Sequence, residues 1–569
     1  MFADARTLSA DTTLETDICI IGGGAAGITL AREFGGGPTR VLLLESGALE
    51  FDSDTQALAE GPVTGLPYFP LASARLRMFG GTTNHWGGVC RPFDEADFER
   101  REWIPFSGWP IRKADLDPFY EPARVITQVP SGDWDVDHWA DRDRFPLLPL
   151  SGDRIQTRLA QLVPRSSRSF GRAYEEEVRR AENVIVYLHA NATEIETDEA
   201  GATVTRVQAA TLAGNRFSVA ARQFVLAAGG IENPRLLLVS NARRSNGLGN
   251  QNDLVGRFFL EHPRFLAGMI APTHSHLVAG FYDQHPAGGG EIRGYLAPSD
   301  EVQRAEGLVD IQIRLGPVYI DSFERAIASA DIDSAQALVD AARRGEPADD
   351  FGQHLTNVVD DLMSWQAFAI PGAPVPVPYP EVVSRLLRST PSEVESLLPD
   401  LLGDAAAVAY REVLGSAPLA TLNVTPRIVQ APNPDSRVTL AADRDELGLR
   451  RAQLEWRLSP LDKHSVLRTM EIFGAEIGRA GLGRLKILVD EDDAGWPDDL
   501  EGGWHHMGTT RMSDDPGQGV VDRNCRVHGI SNLFVAGSSV FPTAGSGTPT
   551  LTLVALALRL SEHLKGIME

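Results

Sequence analysis

Two regions of this chain carry the clearest alternation of apolar and polar positions, one near each end. Residues 17–21 (DICII) form a short apolar run that reads as a buried strand, and ITLAREF at 28–34 repeats its apolar positions at helical spacing. Between them stands a turn of small residues, Gly22-Gly23-Gly24-Ala25-Ala26-Gly27. A second apolar run, Val41–Leu44, leads into Glu45. Near the other end, NLFVAG at 532–537 reads as a strand that delivers Gly537, Ser538 and Ser539. Leu551, Val554, Ala555 and Leu558 then fall on one face of a helix, with Thr548 suited to its N-cap and Pro549 to its first position.

The middle reads as strands at Asn183–Ala192 and Thr203–Ala209, then a strand at Arg222–Gly230 running into a glycine turn. A helix follows from Ile231, with Pro234 in its first turn. Glu455 and Trp456 sit in a strand-like LEWRL, expected on the sheet that roofs a substrate cavity. From about 322 to 419 the chain is rich in Ala, Asp, Glu and Leu around PGAPVPVPYP, which reads as helices plus an exposed loop.

Length and charge narrow this picture. At 569 residues the chain exceeds the roughly 100–200 of a single domain, so a two-domain body is expected. With 53 basic and 77 acidic residues the net charge is −24, which argues against a nucleic-acid partner. Cys19, Cys90 and Cys525 are too scattered for a disulfide framework or a metal cluster, and point to a reducing, cytoplasmic setting. The first residues are acidic rather than basic and apolar, so no targeting segment is expected, and no run is long enough to span a bilayer.

Strand, glycine turn, helix, strand and terminal acid is the order a dinucleotide site requires. Gly22 permits the tight turn, Gly24 the approach of a pyrophosphate and Gly27 close packing of helix on strand. Ala25 and Ala26 open the helix whose N-terminus faces the phosphates, and Glu45 is placed for ribose hydroxyls. No His, Cys, Asp or Glu group has metal-ligand spacing, and there is no G-x-S-x-G elbow.

The blocks GGGAAG (22–27), RLRMFGGTTNHWGG (75–88), AAGGIENPRLLL (227–238), LVGRFFLEHP (254–263), PNPDSRVTL (432–440), HHMGTTRM (505–512) and NLFVAGSSVFPT (532–543) with PTLT (549–552) resemble the glucose–methanol–choline (GMC) flavoprotein oxidoreductases. The GG-x-x-x-HW element is most similar to the pyranose 2-oxidase and bacterial glycoside 3-oxidase or dehydrogenase branch. The resemblance implies an α/β protein with a discontinuous Rossmann-like FAD-binding domain (10–100, 185–265 and 495–569). It also implies a substrate domain (101–184 and 266–494) with an antiparallel sheet covered by helices. It implies FAD, oxidation of a secondary hydroxyl of a sugar or glycoside by hydride transfer to the flavin, and reoxidation by dioxygen or another acceptor.

His505, first in H-x-x-G-T, takes the place of the base beside the flavin; imidazole titrates in the range such proton removal needs. His506 reads as a supporting residue or a candidate base. Thr548 stands where relatives carry Asn or His, so it either faces the substrate or only caps the helix. His85 aligns with the histidine bonded to the flavin in pyranose oxidase-like members; the alternative is packing without a bond. Gly81, Thr82, Thr83 and Asn84 are expected at the flavin edge, and Ala192, Ala228, Gly229, Gly537, Ser538, Pro549 and Thr550 complete the implied cofactor contacts. Arg75 and Arg77 read as partners of phosphate or carboxylate, or as surface charges. His262 and His528 read as structural. Other readings stay open: a non-sugar alcohol, a flavin lyase or decarboxylase, and a catalytically idle binding protein.

Overall fold

The computed structural model describes residues 1–140, 145–164, 167–274, 279–287, 290–319, 419–490 and 495–569. The helical stretch expected around 322–419 lies outside the described residues.

The long strand Thr12–Ile21 begins half exposed and ends in four consecutive buried residues, because it runs into the centre of a sheet covered on both faces. Val41–Leu44 pairs with it in parallel on one side and Arg216–Leu226 on the other. The full order, among the described residues, is Phe2–Asp4, Val184–Leu188, Val41–Leu44, Thr12–Ile21, Arg216–Leu226, Val204–Ala210 and Asn191–Thr197, with Leu533–Val535 also parallel to Arg216–Leu226. The single strand expected at Asn183–Ala192 is two, broken at His189, whose φ of +58° turns the chain. The helices Ala25–Phe34 and Pro549–Met568 pack against each other, and both bury their apolar faces in the core of this sheet.

A second sheet is antiparallel throughout: Gly483–Ile487, Gly268–Pro272, Leu419–Ile428, Ile311–Tyr319, Gly290–Pro298, Ile155–Leu162 and Val89–Cys90, with Gln284–Ala287 on Gly290–Pro298. The helix Pro460–Arg479 covers it with Val466, Met470, Ile472 and Phe473, and is closed at its start by a Ser459–Asp462 capping box. This is the two-layered α/β architecture expected, one mostly parallel sheet and one antiparallel sheet under a helix.

Glu455 and Trp456 belong to neither large sheet. Arg450–Trp456 joins Arg437–Arg444 and Val63–Gly65 in a three-stranded sheet, where Trp456 is fully buried and donates to Gln430 while Glu455 pairs with Arg457. Neither borders the central cavity, so the expected roofing role passes to the Ile311–Tyr319 and Leu419–Ile428 strands.

Candidate active site

The N-terminal and C-terminal glycine turns open on one cavity of about 630 Å³ between the two large sheets. Gly22 has a φ of +109°, and a Cβ there would lie 2.6 Å from the Ala227 carbonyl oxygen; at Gly27 it would lie 1.9 Å from that of Gly22. Only glycine allows the strand, turn and helix to close this tightly. A Cβ on Gly24 would meet nothing within 4 Å, since that position faces the cavity at the helix N-terminus, where an anion is favoured. Glu45 is buried beside it, accepting from the backbone N–H groups of Gly23 and Gly47, each at 2.8 Å.

Ala25, Ala26, Gly81, Thr82, His85, Ala192, Ala228, Gly229, Gly537, Ser538, Thr548, Pro549 and Thr550 all border the same cavity. Asn84 does not: its amide donates to the carbonyls of Phe79 and Gly81, and its oxygen accepts from Ser169. It braces the 80–85 turn, and the expected donation to a cofactor is corrected accordingly. The Thr83 hydroxyl is similarly engaged with the Gly80 carbonyl. His85 is different. Its ring stacks on Trp504, with centroids 5.4 Å apart, and its Nε2 is buried with no hydrogen-bond partner.

Arg75 and Arg77 are not surface charges. Both reach Glu232, at 2.7 and 2.8 Å, and Arg235 joins them at 3.1 Å while also holding Asp445. Three guanidiniums around one carboxylate hold Glu232 far below the usual carboxylate range despite its burial.

At the other end of the cavity stands the histidine group. His505 Nδ1 is 2.8 Å from His262 Nδ1 and 2.7 Å from the Arg427 Nη2, which also lies 3.4 Å from His505 Nε2. The Gly545 carbonyl accepts from His262 Nε2 at 2.9 Å, so neutral His262 offers a lone pair at Nδ1. His505 Nδ1 has one in-plane site and two suitors. Bound to His262 it carries the proton and leaves Nε2 basic; bound to Arg427 it accepts, and Nε2 carries the proton. Burial and the Arg427 charge hold His505 well below the ordinary histidine range, and burial with Arg427 does the same to His262.

His506 borders the cavity too, but its Nε2 donates to the Tyr68 hydroxyl at 3.1 Å, which in turn donates to Glu261. Burial, with Arg75 and His85 nearby, pushes His506 down to about 3. Glu261 also accepts from the backbone N–H groups of His262, Gly503 and His505 at 2.7–2.8 Å and so fixes the loop bearing His505. Thr548 sits at the N-cap position in backbone conformation, yet its hydroxyl caps nothing: it donates to the Val89 carbonyl on the edge of the second sheet. His528 donates to the Ser513 carbonyl away from the cavity, a structural role as expected.

His262 was read from the sequence as structural, and it touches His505 directly. Arg427 and Arg314 drew no attention there at all. The available signal was a lone charge inside an apolar strand pattern, in IQIRLG and TPRIV.

This arrangement of turns, buried acid and histidine loop fits FAD: open backbone at Gly24, a phosphate-facing helix start, and an orphaned ring nitrogen at His85. The residues 17–252 match the FAD dependent oxidoreductase family, and 432–557 match the family described as GMC oxidoreductase. The chain is a FAD-dependent oxidoreductase acting on alcohols. It carries a FAD-dependent oxidoreductase domain and a GMC oxidoreductase C-terminal domain. It is 24% identical to a 2-methyl-1,2-propanediol dehydrogenase of Mycolicibacterium austroafricanum, over 98% of this chain and 96% of that one. A C-glycoside 3-oxidase of Microbacterium trichothecenolyticum is 38% identical over 22% of this chain and 23% of its own. Among solved structures, pyridoxine 4-oxidase from Mesorbium loti superposes with a TM-score of 0.51 at 17% identity, covering 97% of this chain and 99% of that one. Among the described residues no helix is long and apolar enough to cross a membrane, and no group of His, Cys, Asp and Glu could hold a metal ion.

Proposed function

We propose that the alcohol oxidised is a hydroxyl of a sugar or glycoside, and that His505 is the base. The observation that carries the reading is the position of His505 in the cavity bordered by Gly24, Gly81, Gly229 and Ser538, within hydrogen-bond distance of His262. Bound FAD supplies the hydride acceptor. His505 Nε2, unprotonated when Nδ1–H donates to His262, takes the hydroxyl proton as the carbon loses hydride. His262 holds the ring in that tautomer, and Glu261 holds the loop. His506 keeps its neutral Nε2–H on Tyr68 and positions the turn without serving as base. The C-glycoside oxidase among the relatives supports a sugar substrate.

His85 Nε2 is proposed as the point of covalent attachment to the flavin 8-methyl carbon. Such a bond would tether the cofactor to the chain, and because it would replace one methyl hydrogen and the imidazole N–H it would require a two-electron acceptor such as dioxygen. A division into a cofactor domain (10–100, 185–265 and 495–569) and a substrate domain (101–184 and 266–494) is proposed; the two large sheets support it, apart from Phe2–Asp4, which joins the first from outside these bounds, Val63–Gly65, which joins the small sheet, and Val89–Cys90, which crosses to the second. Three buried, unpaired cysteines support a reducing, cytoplasmic location.

The test is anaerobic stopped-flow reduction of the holoenzyme against sugars, glycosides and simple alcohols. Bleaching by a pyranose or glycoside is expected, and air then separates an oxidase from a dehydrogenase. Bleaching by aliphatic diols alone would replace the sugar reading.

A further inference from the structure

The wall of the cavity next to His505 is unusually cationic. Arg427 lies opposite Gln312 in the pairing of Leu419–Ile428 with Ile311–Tyr319, and Arg314 stands two residues from Gln312 on the same strand. The two arginines are therefore diagonal neighbours on one face of the sheet, about 7–8 Å apart in an antiparallel ladder. Both border the cavity. On the other side of Arg427, bridged to it, is Arg264.

Among the described residues only one of these three charges is matched. Arg264 pairs with Glu501 at 2.6 Å. Among the described residues Arg427 has no carboxylate at ion-pair distance; its contacts are the neutral Gln312 and His505. Arg314 makes no hydrogen bond or ion pair to any described side chain, and burial together with Arg427, Arg293 and Arg264 drives its basicity well below the ordinary arginine range. Glu261 acts on Arg427 only through space, its carboxylate being already occupied by Tyr68 and three backbone N–H groups. Buried guanidiniums without a counter-charge are costly, and a fold retains them where an anion arrives from outside.

We propose that the substrate alcohol carries a carboxylate, seated between Arg314 and Arg427, which points its hydroxyl-bearing carbon at His505. The substrate class is then a hydroxy acid, such as a sugar acid, rather than a neutral sugar. Planar guanidiniums match a carboxylate through paired N–H···O bonds, and two of them converging from one sheet face fix its orientation. The same contact settles the competition at His505. A carboxylate that draws the Arg427 Nη2 away from Nδ1 leaves that nitrogen to His262, so Nε2 becomes the lone-pair site. The anion also offsets the charge that depresses His505, so the base gains strength when its substrate is in place. Neutral alcohols bind without this switch.

The proposal rests on the alcohol-oxidation reading, and the experiment separates the two. Matched pairs, D-glucuronate with D-glucose and glycerate with glycerol, are compared in anaerobic reduction of the holoenzyme. Each carboxylate should exceed its neutral partner by about ten- to a hundredfold in reduction rate over dissociation constant, the range of one charge-assisted contact. Arg314→Gln should collapse that ratio, and Arg314→Lys should restore part of it. Without turnover, sodium acetate titrated into the wild-type holoenzyme should perturb the flavin spectrum saturably, and inorganic phosphate should do so more weakly. Equal reduction by both members of each pair, with acetate silent, overturns the proposal while leaving alcohol oxidation intact. Tighter binding of phosphate than acetate overturns the carboxylate assignment in favour of a phosphorylated alcohol. A saturable acetate response with no bleaching by any alcohol supports the anion site and removes the alcohol reading instead.

Discussion

A histidine packed against an arginine and a second histidine titrates unlike one in water. Because its folded value is lowered, acidification through the ordinary histidine range leaves His505 unprotonated. With a neutral alcohol, which brings no anion to offset Arg427, the rate of flavin reduction is therefore expected to stay level as pH falls past about 6.5, the usual histidine value, and to decline only in distinctly more acidic buffer. A limb centred at the ordinary value would assign the base elsewhere. Replacing the ring, in His505→Ala, should slow reduction by about 10²–10⁴-fold at saturating substrate while FAD stays bound. The orphaned Nε2 of His85 carries a separate expectation. Acid precipitation should leave the yellow colour in the pellet, and His85→Ala should release it to the supernatant. Colour released from the wild type would rule out the covalent bond and leave the fold reading untouched.

At the level of elements, Thr548 ties the start of the Pro549–Met568 helix to the Val89–Cys90 edge of the other sheet. Thr548→Val removes that hydroxyl and leaves a carbonyl without its partner. The change should lower stability by about 1–3 kcal/mol, read by denaturant unfolding, with reduction rate altered far less. A large drop in rate with unchanged unfolding would make Thr548 a substrate contact. Elements were legible where their logic is local. Residues 17–45 announce strand, turn, helix and strand because each lies within a few residues of the next and because Gly22 and Gly27 each have a steric reason. The split at His189 was hidden, since a left-handed turn in a non-glycine residue leaves no mark in apolar periodicity. The Arg314–Arg427 wall was hidden for a different reason. Its members meet only through antiparallel register across the long intervening segment, and register is a property of the folded sheet.

The whole molecule opposes its own cavity. A surface giving a net charge of −24 surrounds a pocket walled by arginines, so a carboxylate substrate meets repulsion at a distance and attraction on arrival. Added salt screens the distant part over about 10 Å at 0.1 M and barely touches the buried part, so the association rate of an anionic substrate should rise with ionic strength. A neutral alcohol should show no such trend, and rapid-mixing rates at graded sodium chloride check it. The cavity has another property of this scale. Its phosphate turn comes from Gly22–Gly27, and its closing turn, Gly537–Ser538, stands nearly a whole chain length later. During translation the first half of the site waits for the second, so the nascent chain holds the Gly22–Gly27 turn before Gly537 and Ser538 exist to close the cavity. Cofactor loading is thereby a late event, governed by flavin supply to finished chains rather than by the pace of synthesis, and cells short of riboflavin would accumulate full-length, colourless protein.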